Sequence, residues 1–346
     1  MRKIIILLLV ILTLSGYVHA YDLTAPTVPS EAAKFMPSTQ DNLASGILEV
    51  LRDALMYIRP DLREATSVSI KIIVVVMFVS LLRTCTGSSA NTANLIASLG
   101  ISVILFESSN SLINLASKTI TEISEYGKLL LPVITAALAG QGGVGTSAAL
   151  YTSTALFDTI LTTIIGKLLM PLIFLFLFLA IASGAIGDER LYKLRDTIKW
   201  SMTWTLKTIL YVYTGYIGIT GVVSGTTDAA ALKATKLTIS GMVPIVGGIM
   251  SDASEAILIS AGTVKNAAGM YGLLAILAIW IGPFMQIGIH YLLLKATASV
   301  CAIFSDKQCT SLIEDFSSAM GLLLAMTGAI CLILLISLVC FLRGVG

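Results

Sequence analysis

Charge is scarce in this chain. Lys and Arg number 22 and Asp and Glu 20 among 346 residues, so 12% of positions are charged, about half the roughly 25% of an ordinary soluble domain. A soluble fold cannot cover its surface with so little charge, and a net charge of +2 lacks the dense basic face of a nucleic-acid binder. Cysteine is sparse as well. Cys85, Cys301, Cys309, Cys331 and Cys340 include no C-x-x-C pair, and four of them lie in or beside apolar runs. That pattern argues for buried thiols over a disulfide framework or zinc site. His19 and His290 are the two histidines, too few for a His-rich metal centre. No nucleophile elbow accompanies His290, and no Walker motif occurs, so neither a serine triad nor ATP hydrolysis is expected. The string Gly140-Gln-Gly-Gly-Val-Gly145 matches a dinucleotide fingerprint only as letters. It follows an apolar helical run instead of a strand, and reads as a glycine hinge or tight turn.

What is abundant is apolar. The hydrophobic fraction is 56% and the mean hydropathy +0.92. No charged residue occurs in 84–106, 129–157, 168–187, 208–227, 266–294 or 316–342, each long enough to cross a bilayer as a helix. The run from Val68 to Leu82 contains only Lys71, which can snorkel to the interface. The expected fold class is therefore all-α: a polytopic helical membrane protein, because only helices satisfy their own backbone in lipid.

Residues 1–20 read as a signal peptide. Arg2 and Lys3 precede an apolar run from Ile4 to Leu14, followed by Val18-His19-Ala20. Residues 21–66 hold four basic and seven acidic residues and form an expected extracytoplasmic segment. Ile47, Leu48, Leu51, Leu55 and Ile58 recur in it at helical spacing. This amphipathic helix either lies on the outer membrane face or packs on the bundle. Residues 67–346 form the multi-pass domain.

Two stretches of that domain do not read as simple spans. Pro132 stands in LLLPVITAALAGQGGVGTS (129–147), and Pro244 in GMVPIVGGIMSDASE (241–255). Proline removes a helical hydrogen bond and glycine loosens the chain, so both are expected to be broken or re-entrant hairpins. Pro171 and Pro283 each follow 39 residues later, so both pairs match at an offset of 112. The pattern suggests an internal duplication, with units at about 91–200 and 203–316. The basic stretch 188–199, with Arg190, Lys193, Arg195 and Lys199, reads as a cytoplasmic loop. Trp200, Trp204, Tyr211, Tyr213 and Tyr216 read as interfacial anchors.

Carboxylates at membrane depth are costly and should be paired or wetted. Asp158, flanked by apolar residues and Thr, and Asp252, Glu255 and Lys265 around the second hairpin are thus candidate conduit or assembly residues, together with Pro132 and Pro244. Glu107, Lys207 and Lys295 fit snorkelling at helix ends. No catalytic, cofactor or metal site is expected.

Residues 228–273, DAAALKATKLTISGMVPIVGGIMSDASEAILISAGTVKNAAGMYGL, closely resemble the stage III sporulation protein AE family. GKLLLPVITAALAGQGG (127–143) and KLLMPLI running on to DERLYKLRDTIKW look like the same family. The resemblance covers roughly 60–342. It implies a non-enzymatic protein of the mother-cell membrane around the forespore in an endospore-forming bacterium. Its partners would be the other stage III A operon proteins and stage II sporulation protein Q, in a channel or secretion-like complex needed for late forespore gene expression. The duplication and the buried carboxylates also fit a different role, a secondary transporter moving a small solute through a site between the two hairpins.

Overall fold

The computed structural model describes residues 26–37, 43–86, 90–140, 144–219 and 267–343. Among them the chain is helical with no strand: α1 (Ser30–Ala33), α2 (Leu43–Tyr57), α3 (Arg59–Thr86), α4 (Ala90–Gly140), α5 (Val144–Ile164), a π-helical turn (Ile165–Leu169), α6 (Met170–Ile186), α7 (Glu189–Ile219), α8 (Ala267–Cys301) and α9 (Lys307–Arg343). Five stretches are long and apolar enough to cross a membrane, within α3, α4, the α5–α6 column, α8 and α9.

Helices α8 and α9 pack along each other, and the remaining long helices surround them. Residues 273–281 of α8 are buried without a break, and α9 buries Phe316, Ala319, Met320 and most positions beyond. A helix apolar on every side belongs in such a centre. Close approach is helped where side chains are missing. A Cβ on Gly127 of α4 would stand 2.8 Å from Leu334 of α9, and one on Gly272 of α8 would stand 2.8 Å from Leu130 of α4.

Helix α4 overturns part of the sequence reading. Its 51 residues span about 76 Å at 1.5 Å per residue, so the charge-free ends 90–106 and 129–140 belong to one helix and not to two spans. The helix is not broken at Pro132; it runs through to Gly140. Pro132 and Lys128 both face outward, so the carbonyl freed by the missing N–H lies on the exposed side, while Leu130, Leu131 and Ile134 hold the turn against the core. The chain reverses after Gly140, and Ser124 of α4 meets Asp158 of α5, each 17 residues from position 141. The second hairpin, with Pro244, lies outside the described residues, as do 1–20. The other matched prolines differ locally. Pro171 starts α6 directly after the π turn, whereas Pro283 sits inside the continuous helix α8.

The stretch 188–199 is likewise no loop. Gly187 and Asp188 are its only non-helical neighbours, and α7 begins at Glu189. Gly187 has φ +76°, and its N–H closes on the Ser183 carbonyl at 2.8 Å. This left-handed cap favours glycine, which has no Cβ to strain there.

Helix α2 buries Leu43, Gly46, Val50 and Ala54 against α8. Leu48 and Leu55, expected on the apolar stripe, face outward. Helix α1 is tied to α4 by the Lys118–Glu31 ion pair at 2.9 Å, and Lys118 holds the Glu31 carboxyl below its usual range. Cys301 and Cys331 are free buried thiols, and Cys309 and Cys340 are buried too.

Replacing Gly187 by Ala forces a Cβ into left-handed backbone and onto the Gln308 side-chain amide. The expected loss is about 1–2 kcal/mol, read as a lower unfolding midpoint in detergent with an unchanged helical circular-dichroism spectrum.

Candidate functional site

Polar side chains inside this bundle fall into a few nodes. Asp158, the one carboxylate of α5, is 2% exposed. Its Oδ2 accepts from Ser124 Oγ at 2.7 Å, while Oδ1 is buried with no partner. One turn before it, Thr154 donates to Ser337 Oγ of α9 at 2.7 Å. One turn after it, the Thr162 hydroxyl is buried without a partner. Thr154, Asp158 and Thr162 therefore form a hydrophilic stripe at i, i+4 and i+8 on an otherwise apolar helix.

Tyr213 of α7 completes this node. Its hydroxyl donates to the Ile333 carbonyl at 3.0 Å and also touches Ser337 Oγ. Phe157 packs edge-on against the Tyr213 ring at 5.2 Å. Tyr213 is thus a core residue and not an interfacial anchor. Trp200 and Trp204 stack on each other, outward-facing, with centroids 6.2 Å apart, as anchors would.

A second node joins α7 to α9. Arg195 and Asp315 are 8% and 6% exposed and form a direct ion pair. Arg195 also reaches Ser311 Oγ at 3.1 Å and Asp196 at 2.8 Å, and Lys199 donates to Ser318 Oγ at 2.8 Å. Two of the four basic residues that suggest a cytoplasmic loop are therefore turned inward and paired. The Arg195–Asp315 pair spans 120 positions, and no local pattern announces it.

His290 is buried, with Nδ1 at 3.0 Å from the Gln286 carbonyl and Nε2 without a partner. A carbonyl can only accept, so Nδ1 carries the proton. Of the residues singled out from sequence, Asp158 stands in a polar node. Pro132 lies on the outside of α4, two turns beyond Ser124. Asp252, Glu255, Lys265 and Pro244 fall outside the described residues. Glu107, Lys207 and Lys295 are inside helices, not at their ends; Glu107 and Lys295 face outward and Lys207 is half-buried.

Buried carboxylate, hydroxyl and guanidinium groups set between charge-poor helices are features of a multi-pass membrane protein. The sequence comparisons carry the assignment further. The family model described as stage III sporulation protein AE matches residues 30–344, and the chain belongs to that family. It is 26% identical over 188 residues to the stage III sporulation protein AE of Bacillus subtilis (strain 168), an alignment covering 54% of this chain and 46% of the relative. The chain thus matches about half the length of that curated relative. No solved structure matches.

Breaking the second node should be costly. Asp315→Ala removes the buried partner of the Arg195 guanidinium and leaves it the exposed Asp196 carboxylate, and is expected to destabilise by about 1–3 kcal/mol. The double variant Arg195→Met with Asp315→Leu should recover much of that loss. A double-mutant cycle on denaturation midpoints in detergent checks both.

Proposed function

We propose that this protein is a non-enzymatic, multi-pass subunit of a channel or secretion-like complex between mother cell and forespore, needed for late forespore gene expression. The observation that carries the proposal is the family match across residues 30–344. The fold is consistent with it: the described residues form an all-helical bundle whose interior holds joined polar groups. In this reading residues 1–20 are a signal peptide and 21–66 lie outside the cytoplasm. The protein sits in the mother-cell membrane around the forespore. Its partners are the other stage III A proteins and stage II sporulation protein Q. Asp158, with Asp252, Glu255 and Lys265 near the second hairpin, serves assembly or the conduit.

The test is crosslinking and affinity capture of the tagged protein from sporulating cells. Co-purification with the stage III A proteins and protein Q is the expected outcome. Recovery of the protein alone, with those partners present, would favour a stand-alone small-solute transporter. At the residue level, Asp158→Asn and Asp252→Asn are expected to insert and accumulate normally, because removing a charge at membrane depth eases insertion, yet to lower the yield of heat-resistant spores. Normal sporulation at normal protein level removes that carboxylate from the proposal.

A further inference from the structure

The outside of this bundle changes character along α4. From Leu95 to Phe106 its exposed large side chains, Leu95, Ile96, Leu99, Val103 and Phe106, suit lipid. From Glu107 to Lys128 no large apolar side chain is exposed, and the next is Leu129. The outward positions there include Glu107, Asn110, Asn114, Lys118, Thr121 and Glu125. Meanwhile Leu112, Ile113, Ala116, Ile120 and Ile123 face the core. This strip covers 21 residue steps, about 32 Å, close to the roughly 30 Å of a hydrocarbon core. The strip carries Glu107, Lys118, Glu122, Glu125 and Lys128, so the apolar character of the 43-residue stretch Leu95–Ala137 around it comes from the two ends, and its depth is read from the neighbouring helices.

At the same height other helices of the bundle look different. The Ser124–Asp158 hydrogen bond and the Phe157–Tyr213 contact bring that part of α5 and α7 level with the strip. These helices expose Leu156, Ile160, Tyr211, Val212 and Tyr216. At one depth, therefore, some helices suit lipid while α4 presents amides, hydroxyls and charges. Midway down the strip, Lys118 and Glu31 form an ion pair with side chains 51% and 69% exposed. Charge that open belongs in water, since hydrocarbon offers it no solvation.

We infer that the α4 strip walls a water-filled passage, closed by further copies of this chain. A single bundle cannot enclose that water, because the strip lies on its outer surface. Copies suit it because residues 108–117 carry no charge, so identical strips can face one another without opposing like charges over that length. The inference deepens the conduit reading above and rests on it for its biological use.

The experiment places single cysteines at Asn110, Asn114 and Ser117 of the full chain in sealed membranes. The unsubstituted chain sets the background, and Val103→Cys and Phe106→Cys serve as lipid-facing controls. A membrane-impermeant maleimide should label the three strip positions at least about tenfold faster than the controls, because it reacts with the thiolate, which forms in water and not in hydrocarbon. A bis-maleimide should then join two copies through Asn114→Cys. Equal, slow labelling of strip and controls overturns the inference. Fast labelling without copy-to-copy crosslinks at any of the three positions overturns closure by copies, and leaves a strip bathed by bulk water or covered by another protein. Capture of the sporulation partners by a chain that fails these tests keeps the complex and discards the passage. A passing chain that captures no partner does the reverse.

Discussion

Helices α8 and α9 are apolar on nearly every face, and that condition is tolerable only if other helices enclose them. The requirement organises the molecule. Helices α3, α4, α6 and α7 stand around this pair, α1 and α2 close on α8, and α5 closes on α9. Every peripheral helix turns one stripe inward and leaves the other to its surroundings. High hydropathy in α8 and α9 thus reports burial by protein. In α3 it reports surroundings, since only 28% of its most apolar window is buried, against 78% in α9.

Between helices of equal greasiness, sliding and rotation are weakly resisted. The polar nodes supply the resistance. Asp158 with Ser124 fixes α5 on α4, Thr154 with Ser337 fixes α5 on α9, and Arg195 with Asp315 fixes α7 on α9. Such pairs add little net stability, because desolvation offsets much of their attraction. A slip of one residue, however, would strand buried charge, so each node sets register more than it holds the bundle together. Asp158 differs from the others in having one oxygen satisfied and one not.

The class of fold is plain in the sequence, because runs of 20 or more residues without charge are long enough to cross a bilayer and recur along most of the chain. Asp158 is marked there too, as a carboxylate isolated among apolar residues. Arg195–Asp315 is not, because each residue alone looks like ordinary helix-end charge and the pairing exists only across 120 positions of chain. Pro132 misleads for a related reason. Proline's local effect is strong, but at 132 the freed carbonyl faces outward and the packing of Leu130 and Ile134 outweighs the lost bond. The strip on α4 is hidden by averaging: a window that counts hydropathy mixes its buried Leu and Ile with its outward Asn and Glu.

The central pair also comes late in the chain, and this bears on biogenesis. Helix α4 ends at Gly140 and α9 at Arg343, so a ribosome needs roughly 10–40 s to deliver the core after α4 is complete. Until then α3 to α7 can pair with one another, but the stripes they turn toward α8 and α9 lack those partners. During that interval the nascent helices depend on lipid, the insertion machinery or a chaperone to mask them. The bundle is closed from the inside by a hairpin made after the helices that surround it.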